Sequence, residues 1–300
     1  MKKLMLLLIT IPLVSFGQSK TENWPPEIKS DQIYTYKQIK GTSLNLWVFN
    51  PPNHDLNSAK PAIVFFFGGG FRKGTPEQFV KHCEYLSARG MVSIVADYRV
   101  SSRHNVTPIH CLKDAKSAIR WVRNNSKTLG IDPNKIVASG GSAGGFLAGA
   151  TGTITNYDEK NESTEISSKP NLMILFNPGI INASTEGYKI TEEREKRIKL
   201  LKVNPEDFSP YHQINKKTPS TLIFHGDADK TVSPQGVILF NSKMKSLGNF
   251  CRLHLYEGEG HGFFNYKRNL NGAFIDTVKK MDEFLVEMGY LTAPPKSSVK

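Results

Sequence analysis

The sequence predicts an α/β fold with a mostly parallel central sheet and helices on both faces. Short apolar runs bounded by turn residues alternate with helical periodicity from about Ala62 onward, and those runs are largely free of Pro and Gly, as strands buried on both faces require. One run also ends in a tight glycine turn that opens a helix of small residues. The 300 residues, 39% hydrophobic and 22% charged, suit a globular chain with a sizeable core and exclude a disordered or fibrous one.

Taken in order, Met1 to Gln18 combine a basic start (Lys2, Lys3), an apolar run to Val14 and a small-residue exit at Ser15-Phe16-Gly17. This is the layout of a secretory signal peptide, and the run is too short for a permanent anchor. Residues 1–18 are therefore expected to be a signal peptide and 19–300 a single domain. The product is expected to be secreted or periplasmic, with no membrane span after cleavage. Residues 33–39 and 43–49 flank Lys40-Gly41-Thr42 and read as an antiparallel hairpin at one edge. The buried strands are expected at 62–67, 92–96, 135–139, 172–176, 221–224 and 252–256.

Between the second and third of these, Leu112, Ala115, Ile119 and Val122 form one apolar stripe, with Lys116, Arg120 and Arg123 off it. The last helix repeats the pattern with Val278, Met281, Phe284, Leu285 and Met288. Two segments break the alternation. Residues 156–168 are polar and acidic and read as an exposed loop. Residues 182–214 carry a charged helical stretch at 192–201 and are expected to form a small cap over the carboxyl ends of the strands, where open α/β sheets bind ligands.

The formal net charge of +12 comes from scattered lysines, which read as a solvated surface; an acidic polysaccharide is a candidate partner, and no nucleic-acid module is visible. Cys83, Cys111 and Cys251 lie far apart without zinc-site spacing and read as small buried side chains.

Gly140-Gly141-Ser142-Ala143-Gly144 fits G-x-S-x-G between a predicted strand and a small-residue helix, a context that presents Ser142 Oγ on a strained turn. A serine hydroxyl needs a base, and His261, in the glycine-flanked loop after the strand at 252–256, is placed to supply it. A carboxylate must orient that imidazole. Asp227 and Asp229 both follow the strand at 221–224, and their spacing does not separate them; His225 beside them reads as structural. The glycine run 68–70 follows the first buried strand, so the backbone N–H groups of Gly69 and Gly70, with that of Ala143, are candidates to stabilise an oxyanion. No Lys-Ser or Lys-Thr follows at the spacing of a phosphate-binding loop. Phe71, Arg72, Tyr188 and Tyr211 are candidates to line the substrate side.

Together with Asp97-Tyr98-Arg99, Gly130-Ile131-Asp132-Pro133 and Gly260-His261-Gly262-Phe263, these motifs resemble the α/β-hydrolase serine esterases related to hormone-sensitive lipase, acetyl xylan esterase and feruloyl esterase. The resemblance spans about Leu44 to Leu291, and the chain order Ser, Asp, His agrees with it. It implies Asp229 as the acid. It further implies a carboxylic ester hydrolase that works through an acyl-serine intermediate without metal or organic cofactor, on small-molecule or carbohydrate esters. One departure is Phe67, which stands where lipase-like members carry histidine. A prolyl oligopeptidase-like peptidase and a non-catalytic binding protein on the same scaffold are the competing functions.

Overall fold

The computed structural model describes residues 24–266 and 272–293. The signal-peptide expectation for 1–18 therefore lies outside the described residues. Along the chain, β1 (Gln32–Ile39) and β2 (Thr42–Phe49) form the hairpin, followed by β3 (Lys60–Phe66), α1 (Val80–Ala88), β4 (Val92–Ala96), α2 (Ser101–His104), α3 (Pro108–Asn124) and α4 (Ser126–Leu129). Then come β5 (Ile131–Gly141), α5 (Ala143–Thr153), β6 (Leu172–Phe176), α6 (Glu192–Lys199), β7 (Ser220–Gly226), α7 (Gln235–Ser246), β8 (Cys251–Tyr256) and α8 (Gly272–Glu287).

The eight strands form one sheet in the order β1-β2-β4-β3-β5-β6-β7-β8. β1 pairs antiparallel with β2 and β2 antiparallel with β4; every later pairing is parallel. Alternation along the strands divides the core between the faces. Val64 and Ile94 belong to the layer shared with α3 and α5, while Phe65 and Val95 belong to the layer shared with α1 and α8. All six expected buried strands are present: β4 and β6 have the same bounds, β3 starts two residues earlier and ends one sooner, and the others are longer by one to four residues at an end. In α8, Val278, Met281, Phe284 and Leu285 are buried as the periodicity requires, and Met288 lies just past the last turn.

Helix α3 begins at Pro108, whose fixed φ suits the first turn, and the Thr107 and His110 side chains cap it. Leu112, Ala115, Ile119 and Val122 are fully buried. Residues 156–168 form the expected loop, exposed along much of its length, but most of its acidic side chains are not free in solvent. Asp158, Glu159 and Glu162 in that segment turn inward and cover a cationic face. Lys116 meets Asp158 at 2.7 Å, Arg120 meets Glu162 at 2.7 Å, and Lys37 of β1 meets Glu159 at 3.0 Å. Lys116 and Arg120 are thereby buried to 2% and 7% exposure, although they lie off the apolar stripe. Tyr157 meets Phe208 edge-on, and these ion pairs fasten the segment to α3.

Cys83, Cys111 and Cys251 are buried and free. No helix among the described residues is long and apolar enough to cross a membrane.

Candidate active site

Ser142 sits between β5 and α5 at φ 55° and ψ −115°, a backbone conformation costing about 1–3 kcal/mol that a rigid surround must hold. The surround is visible in the neighbouring glycines. A Cβ at Gly144 would lie 1.9 Å from the Phe66 carbonyl oxygen, so only glycine lets α5 start this close to β3. The Ser142 N–H donates to the Phe176 carbonyl at 2.9 Å, tying the turn to the end of β6.

Three loops at the carboxyl ends of parallel strands then converge. His261, after β8, has Nε2 at 2.9 Å from Ser142 Oγ and Nδ1 at 2.7 Å from Asp229 Oδ2, after β7. With Nδ1 facing a carboxylate, the proton belongs on Nδ1, and Nε2 keeps its lone pair for the serine hydroxyl. Asp229 Oδ1 accepts the N–H groups of Thr231 at 2.8 Å and Val232 at 3.0 Å. Burial works to raise the Asp229 carboxyl, but hydrogen bonds from His225, His261 and the Val232 backbone outweigh it and hold the group well below the usual carboxylate range. Asp227 takes a different position: its Oδ1 accepts the Gly258 N–H at 2.8 Å, joining the two loops at the exposed surface.

Three polar residues complete this core: His225, which reads as structural from the sequence, and Asn177 and Gln78, which carry no sequence signal. His225 Nε2 faces two acceptors, the Val232 carbonyl at 2.9 Å and Asp229 Oδ2 at 3.3 Å, so it must carry the proton there and braces the acid. Asn177 holds its side-chain nitrogen 3.3 Å from both ring nitrogens of His261, an equidistance that lays the amide against the ring face. Gln78 accepts the Gly68 N–H at 2.6 Å and donates to Asn265 Oδ1 at 2.9 Å; Asn265 in turn donates to the Gly262 carbonyl at 2.8 Å. Gln78 thus joins the glycine loop to the histidine loop, and it engages the Gly68 N–H.

In the glycine loop, Gly69 has φ 120° and a Cβ there would lie 1.9 Å from the Lys73 carbonyl oxygen. Gly70 has φ 65° and borders the cleft beside Ser142 and Ala143. Phe67, at the position where lipase-like proteins carry histidine, stacks on Tyr98 with ring centroids 4.1 Å apart, and the Tyr98 hydroxyl donates to the Phe67 carbonyl at 2.7 Å. The loop is therefore supported by a tyrosine in place of that histidine.

The cleft at Ser142 encloses about 250 Å³. Phe71 lines it and meets Phe146 edge-on; Arg72, Tyr188 and Tyr211 do not. Arg72 is exposed. Tyr188 packs with Ile181, Ile190 and Ile198, and Tyr211 lies under the Lys243 ammonium. The 182–214 segment instead contributes Asn182, Arg194, Arg197, Ile198, Leu201 and Phe208. A wider, shallow groove of about 690 Å³ lies on the far side of Gly68 and does not include Ser142. Among the described residues no three His, Cys, Asp or Glu side chains group as metal ligands.

The geometry has close counterparts in known proteins. The BD-FAE family model matches residues 46–244, and the dienelactone hydrolase family model matches 206–291. Among solved structures, the apo form of Thermogutta terrifontis esterase 2 is 47% identical, with a TM-score of 0.85 over 91% of this chain and 99% of that one. The same esterase phosphonylated by sarin gives 44% identity and a TM-score of 0.87 over 90% and 99% of the two chains. Esterase LipC of Mycobacterium tuberculosis is 28% identical over 68% of this chain and 53% of its own length. Acetylxylan esterase of Xylanibacter ruminicola is 28% identical over 81% of this chain and 48% of its own. The chain thus spans about half the length of these curated relatives. The family match over most of the chain, and the similarity to a solved esterase along nearly its whole length, show that this chain belongs to the BD-FAE family within the α/β-hydrolase-fold serine esterases.

Proposed function

We propose that the protein hydrolyses carboxylic esters through an acyl-Ser142 intermediate, with acyl groups carried on carbohydrate as its substrates. The observation that carries the reading is the position of His261, within hydrogen-bond reach of Ser142 on one nitrogen and Asp229 on the other. As Ser142 Oγ attacks the ester carbonyl, its proton passes to His261 Nε2, and Asp229 steadies the imidazolium that forms. The oxyanion is met by the N–H of Ala143 with those of Gly69 and Gly70. Collapse breaks the bond to the alcohol, which leaves with the proton from Nε2. Water, deprotonated by the same nitrogen, then releases the acid and restores Ser142.

The neighbours support this reading. An esterase 44% identical is described as phosphonylated by sarin, and another structure of it as propionate-bound. The acetylxylan esterase relative supports the carbohydrate part. The leader-like 1–18 segment supports export, with 19–300 as one catalytic unit whose 182–214 segment caps the cleft. Ser142→Ala is expected to reduce turnover of p-nitrophenyl acetate by at least about 10⁴-fold with unchanged circular dichroism; turnover retained by a folded variant would refute the assignment. A panel of acetylated xylan, feruloylated oligosaccharides and short-chain esters ranks the substrates.

A further inference from the structure

The cap helix α6 places an arginine with no carboxylate partner in the cleft that contains Ser142. Arg194 is the third residue of that helix, whose other charged residues are largely solvent-facing. Its Nη2 donates to the Gly179 carbonyl at 2.7 Å and to Asn182 Oδ1 at 2.8 Å, and its Nε lies 3.2 Å from the same Asn182 oxygen. Both partners are neutral. Nη1 hydrogen-bonds to no described residue, and no carboxylate among the described residues lies within ion-pairing distance of the guanidinium. A Cβ at Gly179 would meet Nη2 at 3.2 Å and Nη1 at 3.5 Å, so the guanidinium lies close against the bare glycine backbone.

Burial pushes the guanidinium down from the ordinary arginine range; Tyr188 works against the shift, and the charge of Arg197, one turn on in the same helix, adds to it. Arg197 also lines the cleft; its ion pair with Glu193 is fully at the surface and screened by water. Burial has stripped hydration from Arg194, a cost that its two neutral oxygen partners only partly offset, and the hydrated Arg197 charge one turn on adds repulsion. An anion bound against Nη1 relieves both. Much of the remaining wall is apolar, with Phe71, Phe146, Ile198, Leu201 and Phe208, and besides the exposed Arg197 its polar side chains, Ser142, Asn182 and Thr231, are neutral, so Arg194 is the buried charge that an entering anion meets.

We propose that this cleft selects esters that carry a carboxylate, read by the free Nη1 edge of Arg194. The inference rests on the ester-hydrolase reading and adds a charge class to its substrate. The carboxylate has two sources: the acyl part, as in the monoester of a dicarboxylic acid, or the alcohol part, as in an acetylated hydroxy acid or an acetylated acidic sugar.

Matched pairs of esters test it. For the acyl side, p-nitrophenyl hydrogen succinate is compared with p-nitrophenyl valerate; for the alcohol side, 4-acetoxybenzoate with 4-acetoxybenzamide. In the wild-type protein the charged member of one pair should have the higher kcat/KM, and its advantage should shrink with added NaCl. Arg194→Met should lower kcat/KM for that charged ester by about 10- to 100-fold, the range of a lost charge-assisted hydrogen bond, and for its neutral twin by less than about threefold. Arg194→Lys should recover part of the loss. Equal losses on charged and neutral esters would make Arg194 a clamp for the cap and overturn the proposal. So would a wild-type enzyme that favours the neutral ester in both pairs, a result independent of whether any variant folds. If only neutral esters turn over, this inference fails alone; if no ester of either charge turns over, the ester-hydrolase reading fails with it.

Discussion

Asp229 and Asp114 are both carboxylates with no side-chain exposure, and the protein surrounds them in opposite ways. Asp114, on α3, is met by cations. Arg99 Nε and Nη2 donate to its two oxygens at 2.7 Å each, and Lys37 Nζ stands 2.9 Å from Oδ1. Its charge is spent on permanent partners. Asp229 is met only by neutral donors: two backbone N–H groups and two histidines. Those bonds keep it ionised without cancelling its charge, so the full negative charge is held for a cation that exists only while His261 carries the serine's proton. One carboxylate is saturated and fastens the fold; the other is oriented and left unneutralised, which is what catalysis requires of it.

Neutralising each acid separately gives the sharpest contrast. Asp229→Asn is expected to lower kcat on p-nitrophenyl acetate by roughly 10⁴-fold, the loss seen when a triad acid can no longer hold the imidazole tautomer. Asp227→Asn, two residues away, should stay within a few-fold, since among the described residues its side chain bonds only the Gly258 N–H. Comparable losses from the two would mean that the loop, and not the charge of Asp229, is what matters. Asp114→Ala should reverse the pattern. It leaves Arg99 with only the more distant Glu159 carboxylate at 3.7 Å and Lys37 with Ser117, Glu159 and Glu162, a change expected to cost about 3–5 kcal/mol in urea unfolding while kcat of the folded fraction changes little. A loss below about 1 kcal/mol would show that residues 156–168 neutralise the pair unaided.

The same contrast explains what the sequence disclosed. Ser142 and His261 were legible because each lies in a glycine-bounded turn after a strand; the close approach at Gly144 excludes a side chain from the first turn, and the positive φ of Gly258 and Gly262, 68° and 76°, favours glycine in the second. The choice between Asp227 and Asp229 needed the family resemblance, because both acids follow the same strand and only the turn from Asp229 to Val232 determines which one faces the ring. The lid of charge over α3 was illegible: Lys116 and Asp158 are 42 residues apart, and each alone reads as a solvated side chain. Arg194 did leave a trace. It stands four residues before Ile198 and seven before Leu201, and all three line the cleft, so a charge on the apolar stripe was the signal. Tyr188 and Tyr211 were named for their type alone, and packing within and beside the cap accounts for both.

His82 supplies a third way of burying a titratable group, neither saturated nor oriented. Its ring is fully buried against Phe79, Phe176 and Phe274 with centroids 5.0, 5.5 and 4.9 Å away, and neither nitrogen hydrogen-bonds to a described residue. Burial alone lowers its pKa to about 3. The unfolded chain, with an ordinary histidine near 6.5, therefore binds this proton first as the solution is acidified. Stability from this group is intact above about pH 6.5 and is lost progressively as pH falls toward 3. Between pH 8 and pH 5 the wild type should lose about 2 kcal/mol more than His82→Leu, whose packing change is the same at both values and cancels from the comparison. Parallel stability curves for the two proteins would place a partner on the ring that the packing does not show. A converging pair would establish that an apolar pocket, unlike the sites of Asp114 and Asp229, keeps its titratable residue only by keeping it neutral.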